Sequence, residues 1–98
     1  MAPIVTQNPI QDPDGDYGFL GVNLAVSPMW REDSIGCSVA MRLTPFRVRD
    51  GLVEKLDDQA RAVVYGDAFA EAQHDPALAA CVQAIQDALQ AFVTAKGV

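Results

Sequence analysis

Apolar residues in the last quarter of the chain fall on two adjacent helical stripes. Leu78, Val82, Ile85, Leu89 and Phe92 step by four, three, four and three residues. Ala77, Cys81, Ala84, Ala88, Ala91 and Ala95 run beside them with the same rhythm. This period predicts one helix between Asp75-Pro76 and Lys96-Gly97. Asp75 suits the N-cap, Pro76 the first helical position, and Gly97 the C-terminal cap. The larger stripe, with Ile85 and Leu89 at its centre, is expected in the core. The small-residue stripe of Ala84, Ala88 and Ala91 lets a second backbone come close. Gln83, Gln86, Asp87 and Gln90 are left for water.

Upstream the period changes to two. Val22, Leu24 and Val26 alternate with Asn23, Ala25 and Ser27, which predicts a half-buried strand from Tyr17 to Ser27, ended by Pro28. After the loop MWREDS, Ile35, Cys37, Val39, Met41 and Leu43 face one way, and Ser34, Gly36, Ser38, Ala40, Arg42 and Thr44 the other. Pro45 interrupts this strand and implies an edge or a bulge, because proline donates nothing to a ladder. Beyond it Phe46 and Val48 take the apolar side, and Arg47 and Arg49 the polar one. Asp50-Gly51 signals a two-residue hairpin, with Leu52 to Leu56 returning. Residues 57–67 fit a strand or a helical face. The β-branched and aromatic run Ala62-Val63-Val64-Tyr65, closed by Gly66, favours strand. Ala68 to Gln73 reads as a short helical turn.

Residues 1–16 read as an extended arm. Pro3, Pro9 and Pro13 break regular structure, and Asp12-Pro13-Asp14-Gly15-Asp16 is turn chemistry. Ile4, Val5 and Ile10 are apolar residues that a fully solvated tail has no use for, so the arm is expected to be mobile until it lies on a partner. The fold class is therefore α+β. A small antiparallel sheet of three to five strands carries one long C-terminal helix packed on it, in a single domain at 17–98 preceded by the arm.

Ninety-eight residues, half of them hydrophobic, suffice for one modest core. The net charge of −6 weighs against nucleic acid, whose binding rests on Lys and Arg, and against an anionic membrane surface. No run of eighteen apolar residues predicts a membrane span, and the first residues lack the basic start and apolar core of a signal peptide. Without secretion, Cys37 and Cys81 are expected as free, packed thiols.

Candidate chemistry is sparse. His74, the sole histidine, precedes the helix cap with no nucleophile or second acid–base group at a recognisable spacing, and reads as a loop residue. Ser27, Ser34 and Ser38 lie outside any nucleophile elbow. Asp12, Asp14 and Asp16 alternate as in a calcium loop, but Tyr17 and Asn23 stand where Gly and Glu are needed. No catalytic residue, cofactor or metal site is predicted, and the chain is expected not to be an enzyme. Arg42, Arg47 and Arg49 gather on the outer hairpin face, within reach of Asp50, Glu54, Asp57 and Asp58 for a cross-strand charge ladder. Met29, Trp30 and Arg31 are residue types common at interface centres, although Trp30 could also fold back as a lid on the core.

The size, arm, β-hairpins and terminal helix, with the run GVNLAVSP … SVAMRLTPFR, resemble small structural proteins of tailed bacteriophages, such as tail, baseplate or neck components. The resemblance implies a symmetric oligomer docked on neighbouring virion proteins. The expected function is a structural or adaptor subunit of a larger assembly. The expected partners are copies of the chain itself and adjoining proteins, through Ile4, Val5, Met29, Trp30, Arg31, Ala84, Ala88 and Ala91. A virion location goes with the phage reading, and a cytoplasmic one otherwise. The alternative is a small ligand-binding or regulatory domain.

Overall fold

The computed structural model describes residues 3–98. In chain order it contains strands β1 (Ile4–Ile10), β2 (Tyr17–Trp30), β3 (Ile35–Arg49) and β4 (Leu52–Lys55), a 3-10 turn at Asp57–Gln59, strand β5 (Arg61–Tyr65), and helices α1 (Ala68–Ala72) and α2 (Pro76–Lys96). The fold is α+β, an antiparallel sheet with one long C-terminal helix. Strands β1 to β4 are neighbours in sequence order, and β5 pairs with β3.

The chain divides into two compact units. The first comprises residues up to Ala25 and Ala40–Val64, the second Val26–Val39 and Tyr65–Val98. Strands β2 and β3 run through both.

In the first unit, the Asp50-Gly51 hairpin forms as its sequence requires. Both residues have positive φ, 53° and 77°, the backbone twist that two-residue hairpins need. The resulting register puts Phe46 opposite Lys55, Arg47 opposite Glu54 and Val48 opposite Val53. Pro45 does not end β3. It sits one residue before the β4-paired stretch, where its carbonyl still accepts the Leu56 N–H at 2.9 Å. The side-chain pattern beyond Pro45 departs from expectation. Arg47 is buried, at 7% exposure, and Val48 is exposed.

The expected N-terminal arm is also corrected, since residues 4–10 form β1 and pair antiparallel with β2 in the same chain. Ile4 lies opposite Leu20 and Val5 opposite Phe19, and after an irregularity Ile10 lies opposite Tyr17. A strand at the sheet edge needs neither a buried face nor an N–H from Pro9, so the prolines that argued against structure are compatible with it. Met1 and Ala2, the first positions of that arm, lie outside the described residues.

In the second unit, β2 continues through Pro28 to Trp30, beyond the predicted end at Ser27. Residues 32 and 33 bend the chain, and the Arg31 N–H bonds the Ser34 carbonyl at 3.0 Å. The buried side chains here are Cys37, Val39, Ala68, Leu78 and Val82. Val39, at 1% exposure, is the largest side chain fully enclosed. Both cysteines are free thiols, Cys37 buried and Cys81 half-buried.

Helix α2 starts and stops as its sequence indicates. The Asp75 carboxylate accepts the Ala77 and Leu78 N–H groups at 3.0 and 3.2 Å, Pro76 opens the first turn, and Gly97 closes the last at φ 70°. Helix α1 packs against α2. Burial along α2 stops early, however. Only Leu78 and Val82 are buried, Ile85 is half-buried, and every residue from Gln86 onward is exposed. The expected core role of Leu89 is therefore corrected: its side chain is 53% exposed, because the layer that covers the first turns does not extend under it.

Candidate interaction site

The predicted contact residues of the second unit divide between the end of β2 and the free half of α2. Trp30 is 77% exposed, which excludes a core lid. Met29 beside it is half-buried. The Arg31 guanidinium pairs with the Asp67 carboxylate, which also caps α1 by accepting the Ala70 N–H at 3.1 Å. That N–H, with the Arg31 charge added to it, holds the Asp67 carboxyl below the usual aspartate range. Gly36 makes room for this corner. A Cβ there would lie 3.3 Å from the Met29 Cβ, 3.5 Å from Asp67 Oδ1 and 3.6 Å from Arg31 Nη2. The Arg31–Asp67 pair therefore ties the chain beside Trp30 to the start of α1, and leaves the indole in solvent.

On α2, Ala84, Ala88 and Ala91 are all exposed, next to exposed Leu89, Phe92 (60%) and Val93. Gln83 bonds Asp87 at 2.9 Å and Gln90 bonds Thr94 at 3.3 Å along a separate polar stripe. Lys96 Nζ lies 5.8 Å from the Phe92 ring centre. The free half of α2 thus carries an apolar stripe backed by a self-satisfied polar one. Such a surface can bind apolar groups.

In the first unit, Ile4 and Val5 are exposed on β1. The densest chemistry there centres on Arg47. Its Nη1 donates to Asp12 Oδ1 at 2.9 Å and to the Gly15 carbonyl at 2.8 Å, and its Nη2 donates to Glu54 Oε2 at 3.1 Å. The guanidinium lies over the Tyr17 ring, 4.3 Å from its centre. Its Nε is buried without a partner. Arg49 repeats the pattern at the surface, with Nη1 3.2 Å from Asp14 and Nε 2.8 Å from Glu54 Oε1.

The Asp12 carboxyl lies below the usual range because it accepts the Asp14 N–H and then the Arg47 charge, and Glu54 is lowered chiefly by Arg47. Arg47 is in turn held still more firmly protonated by Asp12.

The expected ladder to Glu54 is present, and Arg42 reaches the Asp57 carbonyl at 3.4 Å. Sequence reasoning missed Asp12, Asp14 and Tyr17 as partners. The Arg47–Glu54 register follows from the hairpin turn, whereas the return of the 12–17 segment is a long-range contact with no local signal.

Among the described residues, no group of three His, Cys, Asp or Glu side chains is placed to hold a metal ion. Asp12, first of the alternating carboxylates, is occupied by Arg47. A groove lined by Gly21, Thr44, Phe46, Val53 and Lys55 is apolar and partly open to solvent. His74 is exposed, its backbone N–H bonded to the Glu71 carbonyl at 3.0 Å. Comparison with protein families, curated proteins and solved structures finds no match to this chain.

Proposed function

We propose that the chain is a structural or adaptor subunit of a larger protein assembly, acting through protein contacts and not through catalysis. One observation carries this reading. The second half of α2 holds Leu89, Phe92 and Val93 exposed next to an alanine stripe, on a helix anchored only by its first turns. Apolar groups gathered on one face lose hydration when a partner covers them, at about 25 cal/mol per Å². Exposed Trp30, at the end of β2, adds a residue type enriched at interface centres.

The partners on this reading are other copies of the chain and neighbouring assembly proteins. The resemblance to tailed-phage structural proteins extends the proposal to a virion component. Helix α2 is long and apolar enough to cross a membrane. Against that use, Leu78 and Val82 are already buried within the protein, and Gln83, Gln86, Asp87 and Gln90 interrupt the remainder.

Native mass spectrometry of the full chain tests the proposal. The parent is expected to form a defined oligomer. Ala84→Glu with Ala88→Glu, both exposed and so harmless to the fold, is expected to return it to monomer. A parent that is monomeric at all concentrations, and whose variant binds every candidate partner unchanged, contradicts the reading.

A further inference from the structure

Strand β1 lies lightly on its sheet, paired at its tip through Ile4 and Val5 and at its root through Ile10. None of its side chains is buried, and only Thr6 and Ile10 are half-buried. Its pairing with β2 is irregular between Val5 and Ile10, a stretch that includes Pro9, which has no N–H to give. The segment that follows is fastened far more firmly. Asp12 and the Gly15 carbonyl both accept from buried Arg47, Tyr17 lies under the same guanidinium, and Asp14 meets Arg49. The Gly15 N–H closes the turn on the Asp12 carbonyl at 3.0 Å.

Segments with few buried apolar contacts open first, independently of global unfolding. The strand and its root therefore differ in kind: β1 can leave β2 by pivoting at Gln11 while 12–17 stays in place.

We propose that β1 is an exchangeable strand, which leaves β2 of its own chain and pairs with β2 of a second copy. The occupant follows from the register. The edge of β2 at Tyr17–Leu20 already accepts Ile4–Ile10 with Ile4 opposite Leu20 and Val5 opposite Phe19. An identical strand from another copy fits it with the same pairs, the condition under which elements swap between protomers. Seven extended residues reach about 23 Å from the pivot, enough to cross to an adjoining subunit. The Arg47 clamp fixes the point and direction from which the strand departs. This inference rests on the reading of the chain as an assembly subunit and names one contact by which copies join.

Hydrogen exchange on the full chain, diluted until it is a verified monomer, supplies the first test. Amides of residues 4–10 are expected to exchange at least 100-fold faster than those of Cys37–Leu43, with the Gly15 amide protected. Equal protection of residues 4–10 and 37–43 overturns the proposal.

The second test locks the strand with Val5→Cys and Phe19→Cys in a Cys81→Ala background. The chain oxidised as a dilute monomer, with its disulfide within one chain, is expected to associate at least tenfold more weakly than the same chain after reduction. Unchanged association of the locked chain overturns strand exchange. If Leu89→Glu nevertheless abolishes that association, the assembly reading stands without it. Absence of association in every form overturns both.

Discussion

Arg47 shows most directly how one residue organises its surroundings. A buried guanidinium is tolerable only when its charge is answered, and here two carboxylates and a carbonyl engage Nη1 and Nη2 while the Tyr17 ring lies against its plane and Nε stays without a partner. Arg47→Met keeps most of the volume and leaves Asp12 and Glu54 without their shared cation. Its melting temperature is expected to fall, whereas Arg42→Met, at an exposed position, is expected to leave it unchanged; equal effects in calorimetry would contradict the assignment.

The same network, together with the separate Arg31–Asp67 pair, sets an acid limit. Asp12, Glu54 and Asp67 all have folded pKa values below their ordinary ones. Their contribution is present above the unfolded carboxylate pKa and is lost as pH falls through the lowered folded value. Denaturant midpoints are therefore expected to be flat from pH 8 to 5 and to decline below about pH 4, less steeply for Arg47→Met. A decline beginning near pH 6 would place the titrating group elsewhere.

At the scale of elements, α2 separates what a periodic pattern fixes from what it leaves open. The stripe of Leu78, Val82, Ile85, Leu89 and Phe92 specified a helix, and Asp75, Pro76 and Gly97 specified its ends. All of that is local chemistry, and the structure has it. Which part of the stripe is covered depends on how far the rest of the unit extends, and no local pattern records that. The same limit appears in β3. The period of two was legible, but the burial of Arg47 depended on the 12–17 segment returning from more than thirty residues away. β1 was missed because prolines and exposed apolar residues describe an edge strand as well as a tail.

Two substitutions measure the split within α2. Leu78→Ala is expected to cost about 2–5 kcal/mol in denaturant unfolding. Leu89→Ala is expected to stay within about 0.5 kcal/mol. Similar losses at both sites would mean that the second half is packed. Gly36→Val is expected to cost about 1–3 kcal/mol, because the new side chain meets Met29 and the Arg31–Asp67 pair; an unchanged unfolding midpoint would show that the corner yields freely.

For the whole molecule, the described residues offer exposed apolar side chains, beside one polar cluster whose charges are paired with one another around Arg47. Val22, Leu24 and Val26 on β2, Trp30 at its end, and Leu89 and Phe92 on α2 are all open to solvent. Scattered apolar exposure is ordinary, but a stripe along a helix that is anchored at one end gathers it into a surface that a partner can cover. Candidate contact residues could be named from the sequence, because Trp, Met and small-residue stripes are recognisable locally. Their exposure could not, because it is a property of the folded chain. Sedimentation velocity of the full chain across a hundredfold concentration range, beside a Leu89→Glu/Phe92→Ser variant, measures whether the exposed stripe of α2 joins copies of the chain. The parent is expected to form a concentration-dependent oligomer and the variant a folded monomer; identical monomeric profiles for both, with no partner lost, would contradict a docking role for α2.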